Sequence, residues 1–372
     1  MDQNQDICVV MVPFIAQGHL NQLIHLSRLI SAYNLPVHFV CAPSHTRQAK
    51  LRVHGWDPLS ISNIHFHEFP IPAFPNHPPT PNATLRFPNH FMPTFNAIMH
   101  LREPFLKLLS DLSTKMKRVV IVHDYLMSSI VQDFVSNWAI GPFNPVTICD
   151  HKNSSPESIK LFTWLDKQEP NSVIYVSFGT TVSLTDEEVK EIAFGLEESG
   201  QKFIWVVREA DKADIFDGVD RRVELLEGYE ERGVESSEVG VVVRGWAPQL
   251  EILKHSSTGG FMSHCGWNSC MEGITMGVPI AAWPMHSDQP RNATLITEVL
   301  GTGIYAREWV RRDEKVTVAM VSDAVRRLMV SEEGCEVRKK AAELGVVVRQ
   351  SVEEGGVMRK ELDEFLGHIT RQ

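Results

Sequence analysis

The sequence predicts an α/β protein built from two doubly wound parallel-sheet domains. Apolar, β-branched runs alternate along the chain with segments whose apolar residues recur every three or four positions. Continuous apolar runs are typical of strands buried on both faces of a parallel sheet, and the intervening spacing is typical of amphipathic helices. The length of 372 residues is that of two such domains.

The first half begins with a strand–helix–strand unit. A buried apolar run is followed by the turn 16–19, and apolar residues at helical spacing then extend from Leu20 to Ile30. Eight prolines at positions 70–93 predict a long irregular loop. The strands expected in this half are 7–15, 36–42, 64–69 and 119–123.

The second half repeats the alternation of strands and helices. Thr185 and Glu188 have the spacing of a capping box, which predicts a helix that starts there and ends near Gly200. Helical patterns dominate from Thr317 to Ile369. The strands expected in this half are 172–178, 202–207, 239–244, 260–263 and 279–283.

A division into domains 1–140 and 141–372 follows from the proline-containing segment 141–145. The N-terminal part then has about 140 residues and the C-terminal part about 230. Two similar sheets require more similar lengths, so we expect the N-terminal domain to be shortened.

Composition excludes several classes of protein. With 36 Lys and Arg against 46 Asp and Glu, the net charge of −10 argues against a nucleic-acid binder. No apolar run is long enough for a membrane span, and the polar, acidic start lacks the features of a targeting signal, so we expect a cytoplasmic protein. The six cysteines are scattered without a CxxC pair, and we expect neither a disulfide framework nor a metal site.

The stretch from Trp246 to Gln289 holds the candidate chemistry. A strand, a turn containing Gly, Asn and Ser, and a helix follow one another, and the N–H groups of such a helix start form an anion site. His264 just before the turn can add a donor or a positive charge, which suits a diphosphate. We expect the following contacts: Asn268 and Ser269 with the diphosphate, Glu272 with ribose hydroxyls, Trp246 with a nucleobase, and Asp288 and Gln289 with sugar hydroxyls.

Several residues of this stretch also have a purely structural interpretation. Trp246 and Trp267 can be core aromatics, Glu272 a solvated helix residue, and the pair Asp288 and Gln289 a helix cap. His65 and His67 alternate on a predicted strand and point to one face, as pocket lining or surface.

The motifs WAPQ, HxxxGGF, HCGWNS, GVP and DQ in 246–289 make this stretch resemble the signature box of plant UDP-dependent glycosyltransferases of secondary metabolism. Segments 16–22, 138–145, 164–168 and 173–180 resemble the zeatin O-glucosyltransferase branch of that family. The resemblance covers nearly the whole chain, with one interruption at about 135–138, where the family carries more of its N-terminal domain.

The resemblance implies a GT-B fold of two Rossmann-like domains, the first binding the acceptor and the second the UDP-sugar. Within the second domain it implies contacts of uracil with Trp246, Ala247 and Gln249, of the diphosphate with His264, Asn268, Ser269 and Thr180, of ribose with Glu272, and of the sugar with Trp267, Asp288 and Gln289. Gln289 at the last box position favours glucose, so UDP-glucose is the expected donor, with no further cofactor and no metal.

The same resemblance implies that His19 is the catalytic base and that Asp124 orients it. Alone, His19 is more typical of a surface or capping histidine, and Asp124 of an ordinary strand end. General-base activation of an acceptor hydroxyl by a His with a carboxylate partner gives attack opposite UDP and inversion at the anomeric carbon. The expected partners are a small-molecule hydroxyl, first of all a zeatin-type cytokinin, and a UDP-sugar, and the protein is expected to be a monomer.

Two other hypotheses belong to different classes. A chain with a shortened N-terminal domain can bind UDP-sugar without closing an acceptor pocket, and would then be inactive. A nicotinamide-dependent dehydrogenase on a similar fold would need G-x-G-x-x-G after a strand, and the sequence has none.

Overall fold

The computed structural model describes residues 6–53, 55–75, 92–131, 156–211, 215–216 and 239–371. Within these ranges the strands form two separate parallel sheets, with helices packed against them. The predicted fold class is confirmed.

The first sheet has four parallel strands in the order β3-β2-β1-β4. They are β1 (Ile7–Val12), β2 (Val37–Cys41), β3 (Ile64–Glu68) and β4 (Arg118–His123). β1 and β2 are buried along their whole length, whereas β4 is half-buried throughout. β1 ends before Pro13 rather than at residue 15, because a proline has no N–H to donate to a neighbouring strand.

The second sheet has six parallel strands in the order β10-β9-β8-β5-β6-β7. They are β5 (Val173–Ser177), β6 (Lys202–Val206), β7 (Gly240–Val243), β8 (Thr258–Ser263), β9 (Ile280–Ala282) and β10 (Gly303–Tyr305). β10 was not predicted from the sequence; it has three residues and pairs with β9 at the edge of the sheet. β9 is equally short but lies in the apolar run 279–283, whereas β10 follows Gly301 and Thr302 and has no such run around it.

Helices connect the strands in both halves. In the N-terminal half they are α1 (Gln17–Ser31), α2 (Pro43–Leu51), α3 (Met92–Ile98), α4 (Arg102–Ser113) and α5 (Ser128–Val131). In the C-terminal half they are α6 (Pro156–Leu165), α7 (Asp186–Ser199), α8 (Gln249–Lys254), α9 (Trp267–Met276), α10 (Gln289–Thr294), α11 (Val318–Val330), α12 (Glu332–Ser351) and α13 (Val357–Ile369).

Helices cover both faces of the second sheet, as a doubly wound arrangement requires. One core contains apolar residues of α7 and α11 against alternate residues of β5 and β8, and the other contains those of α6, α8 and α9 against the opposite face. Thr185 and Glu188 form the predicted capping box at the start of α7, and Gly200 ends this helix with a left-handed φ of 68°.

The last helix, α13, packs against the first sheet rather than the second. Four buried residues of α13 belong to the N-terminal core, namely Leu362, Phe365, Leu366 and Ile369. The Tyr33 hydroxyl donates to Asp363 at 2.7 Å, and Arg118 donates to the carbonyl of Ile369 at 2.7 Å. The expected division at 140/141 had placed this helix with the second domain, and its packing corrects that assignment. The division point itself and the interruption at 135–138 lie outside the described residues.

The predicted loop and the expected lack of a membrane span can be compared with the described residues only. Of the predicted loop 70–93, residues 70–75 have no helix or strand, α3 starts at Met92, and 76–91 lie outside the described residues. Among the helices described here, none is long and apolar enough to cross a lipid bilayer.

Candidate active site

A cavity of about 730 Å³ lies between the two domains, where the carboxyl ends of their strands face each other. Such ends are where doubly wound sheets place ligands. Every residue predicted for catalysis or donor binding lines this cavity: His19, Asp124, Thr180, Trp246, Ala247, Gln249, His264, Trp267, Asn268, Ser269, Glu272, Asp288 and Gln289. The structure therefore brings together both predicted halves of a site.

His19 and Asp124 form a hydrogen-bonded pair on the N-terminal side of the cavity. His19 lies in the first turn of α1, directly after β1, and Asp124 follows the last residue of β4. Because β1 and β4 are paired neighbours, their ends bring Nδ1 of His19 to 2.6 Å from Oδ2 of Asp124. The other carboxylate oxygen accepts from the Leu126 amide at 2.9 Å, which fixes the carboxylate plane.

The environment of Asp124 favours its charged form. Burial alone would raise the pKa of this carboxyl, but its hydrogen bond and charge interaction with His19 outweigh burial and lower the pKa. The carboxylate therefore accepts from Nδ1 of His19, which leaves the lone pair on Nε2 of the same ring. The His19 side chain is 38% exposed, so a small molecule in the cavity can reach it.

On the opposite side, His264 lies between two glycines that leave room for its ring. A Cβ atom at Gly179 would be 2.3 Å from Nε2 of His264, and one at Gly266 would be 2.5 Å from the same atom. Gly179 also has a φ of 80°, a left-handed conformation that favours glycine. Among the described residues, Nδ1 of His264 is buried and has no hydrogen-bond partner.

The sequence left two roles open for His264, a neutral hydrogen-bond donor or a positive charge, and its surroundings favour the neutral form. Burial, with a smaller contribution from His286, lowers the pKa of His264 to about 3, so the ring is neutral at pH 7. Of the two expected roles, that of a neutral hydrogen-bond donor therefore fits this environment. A neutral imidazole still carries one N–H that can donate to a phosphate oxygen.

The turn from β8 into α9 lines the cavity with a helix start, whose first-turn N–H groups have no partner within the helix. Gly266 is the N-cap residue of α9 and has no side chain to occupy the first-turn N–H groups. The Asn268 side chain is engaged across the cleft: its Nδ2 donates to the Gly18 carbonyl at 2.8 Å, and its Oδ1 accepts from Gln22 at 2.8 Å. Asn268 thus links the predicted diphosphate site to the helix that carries His19.

Glu272 lies on α9 facing α8, where its carboxylate is held in place. Nε2 of Gln249 donates to Oε2 of Glu272 at 2.7 Å and to the Ser269 hydroxyl at 3.0 Å. Glu272 is only 8% exposed, so the interpretation as a solvated helix residue is wrong. The three side chains form a polar group suited to hydroxyls.

The two tryptophans of the signature stretch are not core residues. Trp267 is 45% exposed at the start of α9. Trp246 is half-buried, and the guanidinium carbon of Arg52 lies 4.5 Å from the centre of its ring. The core interpretation of both residues is therefore wrong, and each offers aromatic surface to the cavity.

Asp288 and Gln289 hold the loop before α10. Oε1 of Gln289 accepts from the amides of Met285 and His286 at 2.9 and 3.0 Å, which fixes the backbone around the cavity. Asp288 occupies the N-cap position without a side-chain capping bond and accepts from Asn292 at 2.8 Å. The capping interpretation thus holds for the position of Asp288 but not for its side chain.

Several polar residues of the cavity were not identified from the sequence. Gln17, Gln22, Arg208, Asp211 and His286 all line it. Gln17 and Gln22 lie near His19 in the segment 16–22, and His286 lies two residues before Asp288. Their closeness in sequence to predicted site residues was the signal that could have identified them. Arg208 and Asp211 follow β6, and the end of a parallel strand was the only cue for them.

His65 and His67 do not line the cavity. They lie on β3 beside His38 of β2, and Nδ1 of His38 is 2.8 Å from Nε2 of His67. In the described part of the chain, no group of three or more His, Cys, Asp or Glu side chains is placed to hold a metal ion.

Two family models match the chain. The N-terminal domain model of a glycosyltransferase family matches residues 5–139, and the model "UDP-glucoronosyl and UDP-glucosyl transferase" matches residues 85–329. Among curated proteins, zeatin O-glucosyltransferase of Phaseolus lunatus is 45% identical, covering 98% of this chain and 97% of the relative. Zeatin O-xylosyltransferase of Phaseolus vulgaris is 43% identical, covering all of both chains.

This chain is shorter than its alignment with the Phaseolus lunatus relative. The alignment extends over 456 positions, at least 84 more than the 372 residues of this chain, so stretches of the relative have no counterpart here.

Solved structures of the family share the fold. Medicago truncatula UGT71G1 complexed with UDP-glucose aligns with a TM-score of 0.74 at 21% identity, covering 99% of both chains. A UDP-glucosyltransferase of Polygonum tinctorium capable of glucosylating indoxyl also aligns with a TM-score of 0.74, at 21% identity, covering 98% of this chain and 99% of that one. Together with the family models and the curated relatives, these matches show that the chain belongs to the plant UDP-glycosyltransferase family.

Proposed function

We propose that this protein transfers glucose from UDP-glucose to a hydroxyl group of a zeatin-type cytokinin. The observation that carries the proposal is the pair of His19 and Asp124, 2.6 Å apart, in one cavity with the N-terminus of α9. A base and an anion site that share a cavity are the two parts that glycosyl transfer from a nucleoside diphosphate sugar requires.

The proposed reaction starts with the acceptor hydroxyl at Nε2 of His19. As its oxygen attacks the anomeric carbon, the hydroxyl proton passes to Nε2, and the carboxylate of Asp124 stabilises the resulting imidazolium. The bond between the anomeric carbon and the diphosphate oxygen breaks on the opposite side, so the configuration inverts. UDP leaves with the bonding electrons.

The diphosphate carries the negative charge that develops on the leaving group. The first-turn N–H groups of α9, the N–H of His264 and the loop at Thr180 are the donors proposed for it. Gln249 and Glu272 would bind the ribose, and Trp246 would stack on uracil. Trp267, Asp288 and Gln289 would contact the sugar.

The choice of sugar and acceptor rests on the relatives. Two of them at 43–45% identity are named for O-glycosylation of zeatin, one with glucose and one with xylose. The resemblance of the signature stretch, with Gln289 at its last position, favours glucose.

The test is release of UDP by the purified protein, with UDP-glucose or UDP-xylose as donor and with or without trans-zeatin. We expect zeatin-dependent release with UDP-glucose that is lost in His19→Ala. The matched control is His100→Ala, which removes an exposed histidine of the same domain that does not line the cavity. Equal rates in the wild type and His19→Ala would refute the base, and faster release from UDP-xylose would refute the donor.

A second candidate, binding of UDP-sugar without turnover, is favoured by the alignment positions that this chain lacks. Calorimetric binding of UDP-glucose, together with no UDP release across a panel of hydroxylated acceptors, would establish it in place of the first.

A further inference from the structure

Arg52 crosses from the N-terminal domain into the predicted donor site. It is the C-cap residue of α2 and is 8% exposed. Its two terminal nitrogens donate to the two carboxylate oxygens of Asp211, at 2.5 and 3.2 Å, and its guanidinium carbon lies 4.5 Å from the ring centre of Trp246. One N-terminal side chain thus contacts two residues of the C-terminal domain at once.

The guanidinium is held by a buried polar network. Oε1 of Gln17 lies 3.5 Å from a terminal nitrogen of Arg52 and also accepts from Gln48 at 2.9 Å. On the other side, the amide of Asp211 donates to the carbonyl of Thr180 at 2.7 Å. Buried charges persist only where they are paired and hydrogen-bonded, so this bidentate pair defines the plane and position of the guanidinium.

We propose that Arg52 is a positioning residue for the donor, which fixes the indole plane of Trp246 from the side of the N-terminal domain. The inference rests on the proposed stacking of uracil on Trp246. A planar cation over one face of an indole is a favourable contact, and because Trp246 also lines the cavity, the base would stack on it from that side. An indole held in one orientation before the base arrives loses less freedom on binding.

The proposal makes donor affinity depend on contact between the two domains. Arg52, Asp211 and Thr180 form a continuous chain from α2 to the loop predicted to hold the diphosphate. If bound UDP-sugar favours this contact, then by linkage the contact favours binding of UDP-sugar to the same extent. Weakening the contact should therefore weaken donor binding. The effect should therefore appear in UDP affinity and in KM for the donor, with KM for the acceptor and kcat unchanged.

The experiment titrates UDP into the full-length wild type, Arg52→Gln and Arg52→Lys by calorimetry. We expect UDP to bind about tenfold more weakly to Arg52→Gln, with Arg52→Lys in between because lysine keeps the charge opposite Asp211 but not the planar stack. The matched control is Arg312→Lys. The guanidinium carbon of Arg312 also lies over a tryptophan ring, 4.7 Å from the centre of Trp309, but neither residue lines the cavity.

Thermal unfolding of each variant shows whether weaker UDP binding comes from a misplaced indole or from a less stable protein. If Arg52→Gln does not fold, Asp211→Asn serves as the second variant, since it keeps the guanidinium but removes its bidentate partner, and it should also weaken UDP binding. Unchanged UDP affinity in folded Arg52→Gln would overturn the inference. Tighter binding would also overturn it, because Arg52 would then cover the face that the base needs. Absence of UDP binding by the wild type would overturn the proposed function, and this inference with it.

Discussion

Replacing Asp124 by asparagine tests the proposed base most directly. The carboxylate accepts a 2.6 Å hydrogen bond from Nδ1 of His19 and has its charged form favoured in the folded protein. Asparagine has nearly the same shape but no charge, and its amide group can donate to Nδ1. That bond would place the His19 proton on Nε2, where the lone pair is needed to accept the proton of the acceptor.

The size of the effect follows from this one contact. A hydrogen bond to a charged group contributes about 1.5–3 kcal/mol, and the 38% exposure of the His19 side chain argues for the middle of that range. A loss of about 2 kcal/mol from the transition state corresponds to a decrease of about 30-fold in kcat/KM. The unfavourable position of the proton adds to this, so about 30-fold is the minimum expected.

The assay is the rate of UDP release at varied acceptor concentration, with UDP affinity measured separately by calorimetry. We expect kcat/KM to fall and UDP affinity to stay unchanged, because Asp124 belongs to the N-terminal side of the cavity. The matched control is Asp6→Asn, which removes an exposed carboxylate that pairs with Lys117 at the surface. A wild-type kcat/KM in Asp124→Asn would refute the assignment of His19 and Asp124 as a catalytic pair.

Three further changes have defined outcomes. Gly179→Ala places a methyl group 2.3 Å from Nε2 of His264 at a φ of 80°, so UDP affinity measured by calorimetry should fall at least about tenfold; an unchanged affinity would contradict this packing. Burial lowers the pKa of His264 to about 3 and the pKa values of His38 and His286 to about 4, from an ordinary 6.5, so these rings take up protons on unfolding as the pH falls below 6.5. The free energy of unfolding should therefore decrease from pH 6.5 to 4, by up to about 4 kcal/mol per pH unit for three groups, and a flat profile in urea unfolding would argue against buried neutral rings. Phe365→Ala removes a buried ring from the N-terminal core and should cost about 3–5 kcal/mol, seen as a lower urea midpoint, whereas an unchanged midpoint would mean that α13 does not pack there.

The strands and the donor side of the site were predictable because their signals are local. The apolar runs of β1 and β5 and the capping box at Thr185 depend on a few consecutive residues, and each predicted element is present in the structure, although β1 ends three residues earlier than expected. The stretch from Trp246 to Gln289 contains a strand, a turn and a helix start in sequence order, so its placement at one cavity also follows from local pattern.

Contacts between distant segments were not predictable in this way. Arg52 and Asp211 meet across the cleft, and nothing in the residues around either one indicates the other. Asn268 was expected at a diphosphate but also bonds to Gly18 and Gln22 of the opposite domain, because the cleft brings the two helix starts together. The packing of α13 depends likewise on where the chain returns after the second sheet.

The position of α13 affects the order in which the protein can form during synthesis. The first sheet leaves the ribosome early, but Leu362, Phe365, Leu366 and Ile369 complete its core only after the whole second sheet has been made. Until then, the apolar surface that these side chains cover stays open to solvent or to chaperones. The domain that is translated first is therefore the last to become fully packed, and a ribosome that stalls within the final helix would release a chain whose N-terminal core is unfinished.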